Sequence, residues 1–137
     1  MGTVIGKVAW IRVENGELLS TRSRGKDAYY VPGGKPEAGE DDIQALLREI
    51  DEELSVSLDP NTIELFGVYE AQAHGHAEGV TVRMTCYRAD YHGTLAPGNE
   101  IEELAWLSYA DRHRVSPVDQ LILDDLASTG QLRSDPA

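Results

Sequence analysis

The pattern of apolar and polar positions predicts strands on both sides of one amphipathic helix. Alternating β-branched and aromatic residues indicate strands, whereas apolar residues spaced three and four apart indicate helices. In chain order, strands are predicted over 4–13, 18–21, 29–31, 63–71, 80–91 and 103–107. Helices are predicted over about 42–54 and 117–127, the second with Pro117 at its first position. This order favours a single α/β or α+β domain.

The turns between these elements support the assignment. Asn15-Gly16 is a strong tight-turn signal, so the chain should return there as a β-hairpin. No repeat, low-complexity stretch or linker divides the sequence, and we expect one domain over 1–137. Residues 128–137 are predicted to form a loose tail.

The first helix concentrates carboxylates along one edge of its apolar stripe. At 100° per residue, a core-facing stripe is formed by Ile43, Leu46, Leu47, Ile50 and Leu54. Glu49 and Glu53 lie side by side just off that stripe, and Glu52 lies next to them. Like charges at this spacing cost roughly 0.2–0.5 kcal/mol per pair, a repulsion that bound cations would relieve. The alternative interpretation is an acidic face that simply contacts solvent.

Charge and cysteine content restrict the partners and the compartment. Twelve basic and twenty-four acidic residues give a net charge of −12, which should repel nucleic acids and anionic membranes. The single cysteine, Cys86, suits a reducing compartment and is interpreted as a buried structural thiol. No apolar run is long enough to cross a bilayer, so we expect a cytoplasmic protein. A homodimer remains open.

The segment from Gly34 to Val56 resembles the box of the Nudix hydrolase family, G-x5-E-x7-R-E-U-x-E-E-x-G-U, where U is aliphatic. Every fixed position matches except the late glycine, which is Ser55 here. The stretch 30–34, Tyr-Val-Pro-Gly-Gly, is similar to the usual lead-in of the family. A glycine after a helix typically adopts the left-handed conformation, so Ser55 brings the local turn into question and leaves the chemistry intact.

The resemblance implies an α/β/α sandwich with a mixed central sheet and a metal-dependent pyrophosphohydrolase. It implies Glu49, Glu52 and Glu53 as the main metal ligands, one of them also a candidate base, with the Gly33 carbonyl as a further ligand. Arg48 is implied as an orienting partner. Glu40 is interpreted as stabilising the turn. Hard oxygen ligands of this kind select Mg²⁺ or Mn²⁺.

Candidates outside the box are less sharply defined. A further acidic ligand could come from Glu100 or Glu103, and Glu100 is slightly favoured because it lies in a loop. Arg22, Arg24 and Lys26 form the one compact basic cluster, which could receive distal phosphates or simply face solvent.

Other substrate contacts are predicted close to the box. Gly34 and Tyr29 are further candidates, Tyr29 for stacking on a base. His74 and His76 could touch phosphate from a loop, although exposed turn residues are the simpler interpretation.

The substrate is expected to be a nucleoside diphosphate derivative. The stretch Ala71-Gln72-Ala73 lacks the residues that mark several specialised members of the family, which favours a nucleoside triphosphate or a related nucleotide. The alternative is a catalytically silent sensor on the same fold, which binds a nucleotide and signals to a partner. Retention of the carboxylates favours the enzyme.

Overall fold

The structure, a computed structural model, describes residues 2–134. Within that range the strands are β1 (Thr3–Trp10), β2 (Val13–Glu14), β3 (Glu17–Ser23), β4 (Gly33–Gly34), β5 (Ser57–Leu58), β6 (Glu64–Gln72), β7 (Val80–Arg88), β8 (Tyr91–His92) and β9 (Ile101–Leu107). The α-helices are α1 (Asp42–Leu54) and α2 (Pro117–Ser128), and short 3₁₀ helices span Pro60–Thr62 and Tyr109–Arg114.

A mixed four-stranded sheet in the order β4-β1-β7-β6 forms the centre of the molecule. β1 and β7 are parallel, and the other pairs in this sheet are antiparallel. A second sheet, β2-β3-β9, contains the hairpin that Asn15-Gly16 predicts, with both turn residues at positive φ. β5 and β8 form a short separate pair.

The two helices cover opposite sides of the sheets, as the alternation along β1 shows. Val8 and Trp10 pack in a cluster with the apolar residues of α1, whereas Ala9 and Ile11 pack in a cluster with those of α2. Because successive strand residues point to opposite faces, one strand contributes to both cores. The expected α/β/α sandwich is therefore confirmed.

Helix α1 has the bounds that its sequence predicts, and its caps explain them. Asp41 is the N-cap, and its carboxylate accepts from the Gln44 N–H while the Gln44 side chain accepts from the Asp41 N–H. This reciprocal pair satisfies two amides that the helix leaves free. Ser55 ends the helix at φ 62° and ψ 28°, which is the left-handed conformation that glycine supplies in the box.

Three predicted elements differ from the structure. Residues 29–31 form only isolated bridges, because the Val31 N–H donates to the carboxylate of Asp119 instead of to a strand. The predicted strands 4–13 and 80–91 are each interrupted. The second one breaks where the Asp90 N–H donates to the Thr62 hydroxyl and the Ala89 carbonyl accepts from the Trp10 indole.

The predicted loose tail is attached to the body as far as the structure describes it. α2 continues to Ser128, Leu132 is buried, and the Arg133 N–H donates to the Gly16 carbonyl. Residues 128–134 therefore belong to the folded domain, and 135–137 lie outside the described residues.

The helices among residues 2–134 include none with the length and apolar character needed to cross a bilayer. Cys86 is fully buried, as expected of a structural thiol. Burial raises the pKa of this thiol, which keeps it protonated and unreactive.

Candidate active site

Glu49, Glu52 and Glu53 form a carboxylate ridge on α1, and Arg48 organises it. The Arg48 guanidinium donates two hydrogen bonds to the Glu40 carboxylate, from Nε to Oε2 at 2.7 Å and from Nη2 to Oε1 at 2.9 Å. Its Nη1 also contacts Glu49 Oε1 at 2.9 Å and Glu52 at 3.3 Å. A planar fork suits such a role because its five donors point in fixed directions. These are the contacts that the predicted role of Arg48, orienting the carboxylates, requires.

Glu40 stabilises the turn before α1. Its Oε1 accepts from the Glu37 N–H at 2.7 Å in addition to the Arg48 bonds. These bonds favour the charged form, with the Arg48 guanidinium as the largest cause, and hold the pKa of Glu40 at about 2. The carboxylate therefore stays ionised throughout the neutral range.

The Gly33-Gly34 turn brings backbone close to the ridge. Gly33 has φ 152°, and a Cβ there would lie 2.0 Å from the Val8 carbonyl oxygen. A Cβ on Gly34 would lie 2.5 Å from the carboxyl carbon of Glu49. Gly33 is therefore required by the backbone of β1, whereas a side chain on Gly34 would displace the Glu49 carboxylate.

Glu53 is a half-buried member of the ridge. Its Oε1 accepts from the Gly33 N–H at 3.3 Å. Burial, with a smaller contribution from the nearby Glu49, raises the pKa of Glu53 to about 8, although the Gly33 hydrogen bond favours the charged form. A divalent cation at this position would stabilise the charged form and lower that pKa.

The loop before β9 brings Glu100 to the ridge. Its backbone docks on the C-terminal end of α1, where the Ala96 N–H donates to the Leu54 carbonyl and the Gly98 N–H to the Glu53 carbonyl. These bonds satisfy carbonyls that a helix end leaves free. Glu100 consequently joins Glu49, Glu52 and Glu53 in the lining of one open cavity of about 440 Å³, the carboxylate cavity.

Two further cavities continue from the carboxylate cavity. The central cavity, about 200 Å³, shares Ser23, Glu53 and Ile101 with it and is also lined by Gly33 and Gly34. The apolar cavity, about 120 Å³, shares its opening with the central cavity through Lys7, Tyr30, His74, His76 and Met84. Its remaining walls are mainly apolar and come from Ile5, Ala73, Val82 and Val118. Together the cavities form one groove that passes from acidic to apolar surroundings.

Glu103 is engaged in a different contact. Its Oε1 accepts from the Tyr29 hydroxyl at 2.6 Å and from Arg22 Nε at 3.0 Å. Arg22 also pairs with Glu102 at 2.7 Å. Glu103 and Arg22 therefore neutralise each other on the β3-β9 sheet, which leaves Glu100 as the acidic residue outside the box that reaches the ridge.

The predicted substrate contacts divide into two groups. Lys26 and Gly34 line the central cavity. Tyr29 is packed in the core, with its hydroxyl on Glu103, and lines none of the three cavities; its neighbour Tyr30 lines two of them. Arg22 and Arg24 do not line these cavities either, because Arg22 is paired with carboxylates and Arg24 is exposed.

His74 and His76 are exposed residues of the β6-β7 turn, as the simpler interpretation expects, and they also line the groove. His74 Nε2 lies 2.9 Å from Asp27 Oδ1 and joins this loop to the one that follows β3.

The prediction from sequence missed Lys7 and Asp119. Lys7 lines both the central and the apolar cavity. Asp119 is fully buried behind the groove, where it accepts from the Val31 N–H and the Ser116 hydroxyl, each at 2.6 Å. Burial raises the pKa of Asp119 to about 6 against these hydrogen bonds. Two features of the sequence could have pointed to them. Lys7 is a charged residue within the apolar pattern of β1, and Asp119 lies four residues before the core residue Leu123 on α2.

The donor set of the carboxylate cavity fits a hard divalent cation, since all its charged side chains are carboxylates. Among residues 2–134, no three acidic, histidine or cysteine side chains are already arranged as a metal site. The reason lies in their present partners: Arg48 holds Glu49 and Glu52, and the Gly33 N–H holds Glu53. Metal binding would therefore require these carboxylates to turn from protein donors to the ion.

Comparison with protein-family profiles matches residues 4–126 to the NUDIX domain. The chain belongs to the Nudix family. It is a hydrolase of phosphorus-containing acid anhydrides, and the family acts on small-molecule nucleotides. Comparison with curated protein sequences finds no match.

Solved structures share this fold, among them Nudix hydrolases. The Escherichia coli ORF135 protein is 26% identical with a TM-score of 0.72, covering 94% of this chain and 92% of its own. A Nudix hydrolase family member from Chromobacterium violaceum is 26% identical with a TM-score of 0.70, covering 91% and 77%. A MutT Nudix hydrolase from Burkholderia pseudomallei, 22% identical with a TM-score of 0.74 and covering 89% and 97%, shares the fold.

Proposed function

We propose that this Nudix hydrolase cleaves the diphosphate linkage of a nucleoside triphosphate or related nucleotide, with Mg²⁺ or Mn²⁺ as cofactor. The observation that carries the proposal is the position of Glu53, at the junction between the carboxylate cavity and the groove that leads to the apolar cavity. A nucleotide has a matching form, with an anionic diphosphate at one end and a flat aromatic base with apolar faces at the other.

The residues that would hold the cation are Glu49, Glu52, Glu53 and Glu100, with the Gly33 carbonyl as a further ligand. When bound, the ion supplies charge neutralisation at the phosphates and lowers the pKa of a coordinated water. Arg48 would keep the ridge oriented from the side away from the groove. A carboxylate of the ridge that is not engaged with metal would accept the proton from the attacking water.

The apolar cavity is small and would hold the base. Its aromatic and thioether side chains, Tyr30 and Met84, can contact a ring face without selecting one base by themselves. The silent sensor has no observation in its favour, because the chain retains every acidic residue of the box. Cytoplasmic localisation and homodimerisation stay predictions.

The first experiment identifies the substrate and the cofactor. The purified protein is incubated with nucleoside triphosphates, nucleotide sugars, ADP-ribose and dinucleoside polyphosphates, each with Mg²⁺, Mn²⁺ or a chelator. We expect release of pyrophosphate or phosphate from at least one triphosphate with either metal, and none with the chelator. Turnover that persists in the chelator would exclude the metal-dependent mechanism.

Glu53→Gln tests the site itself. Loss of this charge should lower kcat/KM by about 100-fold or more, since the cation and the scissile group both depend on it. Asp51→Asn is the matched control, because it removes a carboxylate from the exposed side of the same helix. Mg²⁺ should raise the melting temperature of the wild type and of Asp51→Asn, and raise that of Glu53→Gln much less. Full activity in Glu53→Gln would refute the assignment.

A further inference from the structure

The lysines of this chain are concentrated in the groove. The sequence has three, Lys7, Lys26 and Lys35, and each of them lines the central or the apolar cavity. The net charge of the chain is −12, so a random distribution of its acidic residues would surround most cations with carboxylates. The central and apolar cavities therefore collect all the lysines of an acidic molecule, although Glu53 also lines the central cavity.

These lysines differ from most of the arginines in having no carboxylate partner. Within the described residues, ion pairs with Asp or Glu are formed by Arg12, Arg22, Arg48, Arg83, Arg112 and Arg114. None of the three lysines forms one in this part of the chain. Their ammonium groups thus remain available to an anionic ligand.

Lys7 has the most constrained position of the three. It is half-buried on β1. Val8 of β1 lies opposite Gly34 of the antiparallel strand β4, so Lys7 and Lys35 come next to each other just beyond that pair. Its Nζ lies 5.8 Å from the centre of the Tyr30 ring. Burial lowers the pKa of Lys7 and the proximity of Lys35 lowers it further, while Asp119, Glu53 and Glu49 oppose both. A bound anion would offset the repulsion between the two lysines.

The location of Lys7 along the groove identifies that anion. Glu53 lies where the central cavity meets the carboxylate cavity, and Lys7 lies where it meets the apolar cavity. A nucleotide with its base in the apolar cavity and its scissile diphosphate at Glu53 must pass Lys7 between them. Between its base and its reacting phosphorus a nucleotide carries the sugar and the phosphate attached to that sugar, and only the phosphate is an anion that the Lys7 ammonium group can bind.

We propose that Lys7 binds the sugar-linked phosphate of the nucleotide substrate and thereby sets the distance between the base and the diphosphate bond at the carboxylate ridge. This assignment rests on the proposed function. Lys7 is a positioning residue here, since the reacting phosphorus lies at Glu53. Lys26 and Lys35 are exposed, so solvent screens them and their contribution should be smaller.

Equilibrium binding measurements test the phosphate contact of Lys7 without requiring hydrolysis of the ligand. The α,β-methylene analogues of ATP, CTP, GTP and UTP, which resist cleavage at that bridge, are titrated calorimetrically with Mg²⁺ present. The matching nucleosides are titrated in parallel. The variants are Lys7→Met, which keeps the aliphatic length without the charge, Lys7→Arg, which keeps the charge, and Lys35→Met as the control on the groove rim.

For the analogue that binds tightest, Lys7→Met should lose about 10- to 100-fold in affinity, the value of one charge-assisted hydrogen bond. Its affinity for the matching nucleoside should stay unchanged, and Lys7→Arg should recover part of the loss. Lys35→Met should lose about fivefold or less. Thermal unfolding confirms that each variant is folded.

Three results would overturn the assignment. Equal affinity of wild type and Lys7→Met for the analogue, or equal losses for analogue and nucleoside, would remove Lys7 as a phosphate contact while leaving the hydrolase intact. If the wild type neither binds any analogue nor hydrolyses any nucleotide of the panel, the proposed function falls and this inference falls with it.

Discussion

At the scale of single residues, the shape of the carboxylate ridge depends on Arg48. One guanidinium holds Glu40 in two bonds and reaches both Glu49 and Glu52, so it fixes the turn and the ridge relative to each other. The acidic neighbours raise the pKa of Arg48, with Glu40 as the largest cause, so its charge is permanent.

Arg48→Lys should therefore impair activity without unfolding the protein. An ammonium group is a point charge that cannot keep the two parallel bonds to Glu40 together with the contacts to Glu49 and Glu52. We expect kcat/KM for the identified nucleotide to fall by about 10- to 100-fold, as for other residues that orient metal ligands. Steady-state kinetics measures the change, and thermal unfolding checks the fold.

A matched variant controls for the chemical change. Arg83→Lys alters an exposed arginine that pairs with Glu70 on the edge strand β6, away from the carboxylate ridge, so it should leave kcat/KM unchanged. Unchanged activity in Arg48→Lys as well would show that the ridge orients without the guanidinium fork.

At the scale of elements, the C-terminal end of α1 determines how the loop before β9 reaches the site. Ser55 turns the chain in the left-handed conformation, and the loop docks on the carbonyls of Glu53 and Leu54. A Cβ on Gly98 would lie 2.4 Å from the Glu52 carbonyl oxygen, so this contact also depends on a glycine. Glu100 reaches the carboxylate cavity as a result.

Ser55→Gly should stabilise the fold. A left-handed conformation is costly for a residue with a Cβ, and glycine removes that cost while it increases the entropy of the unfolded chain. The net gain in free energy of unfolding should be about 0.5–1 kcal/mol, with a rise in melting temperature of about 2–4 °C. Denaturant titration and calorimetry measure both quantities.

Ser57→Gly provides the contrast two residues later. Ser57 is exposed on β5 with no positive φ, so glycine there should lower the free energy of unfolding by roughly 0.5–1 kcal/mol. If Ser55→Gly lowered the free energy of unfolding, the Ser55 side chain would stabilise the fold by more than its left-handed backbone conformation costs.

At the scale of the whole molecule, the buried carboxylate of Asp119 links α2 to the segment that leads into the Gly33-Gly34 turn. Its folded pKa of about 6 lies above its ordinary value of 3.8, because burial disfavours the charged form. The folded state therefore holds a proton that the unfolded state releases between these two values. Its contribution to stability falls as pH rises through this window and stays lost above it.

Asp119→Asn should remove this dependence. The amide oxygen can accept from the Val31 N–H, and the amide nitrogen can donate to the Ser116 hydroxyl, so both contacts survive. Relative to the wild type, the variant should gain roughly 3 kcal/mol of stability between pH 4 and pH 7, from about two pKa units. Denaturant unfolding at a series of pH values measures the difference.

Asp124→Asn should show the opposite sign. The Arg112 guanidinium lowers the pKa of Asp124, so that carboxylate stabilises the fold above its ordinary pKa, and the stabilisation is lost as pH falls. If Asp119→Asn changed with pH in the same direction as Asp124→Asn, Asp119 would be stabilised as a charge in the folded state.

Features that depend on residues close together in the chain could be predicted from the amino-acid pattern. The periodicity of 42–54 predicted α1 with its observed bounds, Asn15-Gly16 predicted the hairpin, and the spacing of the box identified Arg48 and the carboxylate ridge. Each follows from hydrogen bonds or side-chain neighbours within a few residues, which a linear pattern contains. The departure at Ser55 was likewise visible, because the box requires a left-handed residue there.

Which distant residues meet in the groove became clear only from the folded chain. Arg22 and Tyr29 carry suitable chemistry, yet Glu103 on another strand engages both, whereas Lys7 reaches the groove because β1 lies between β4 and β7. The tail is attached by bonds to the hairpin, and Asp119 is buried because α2 packs against the segment before β4. Each of these contacts joins residues that are far apart in the chain. The spacing of residues along the chain therefore could not predict which partner each side chain would bind.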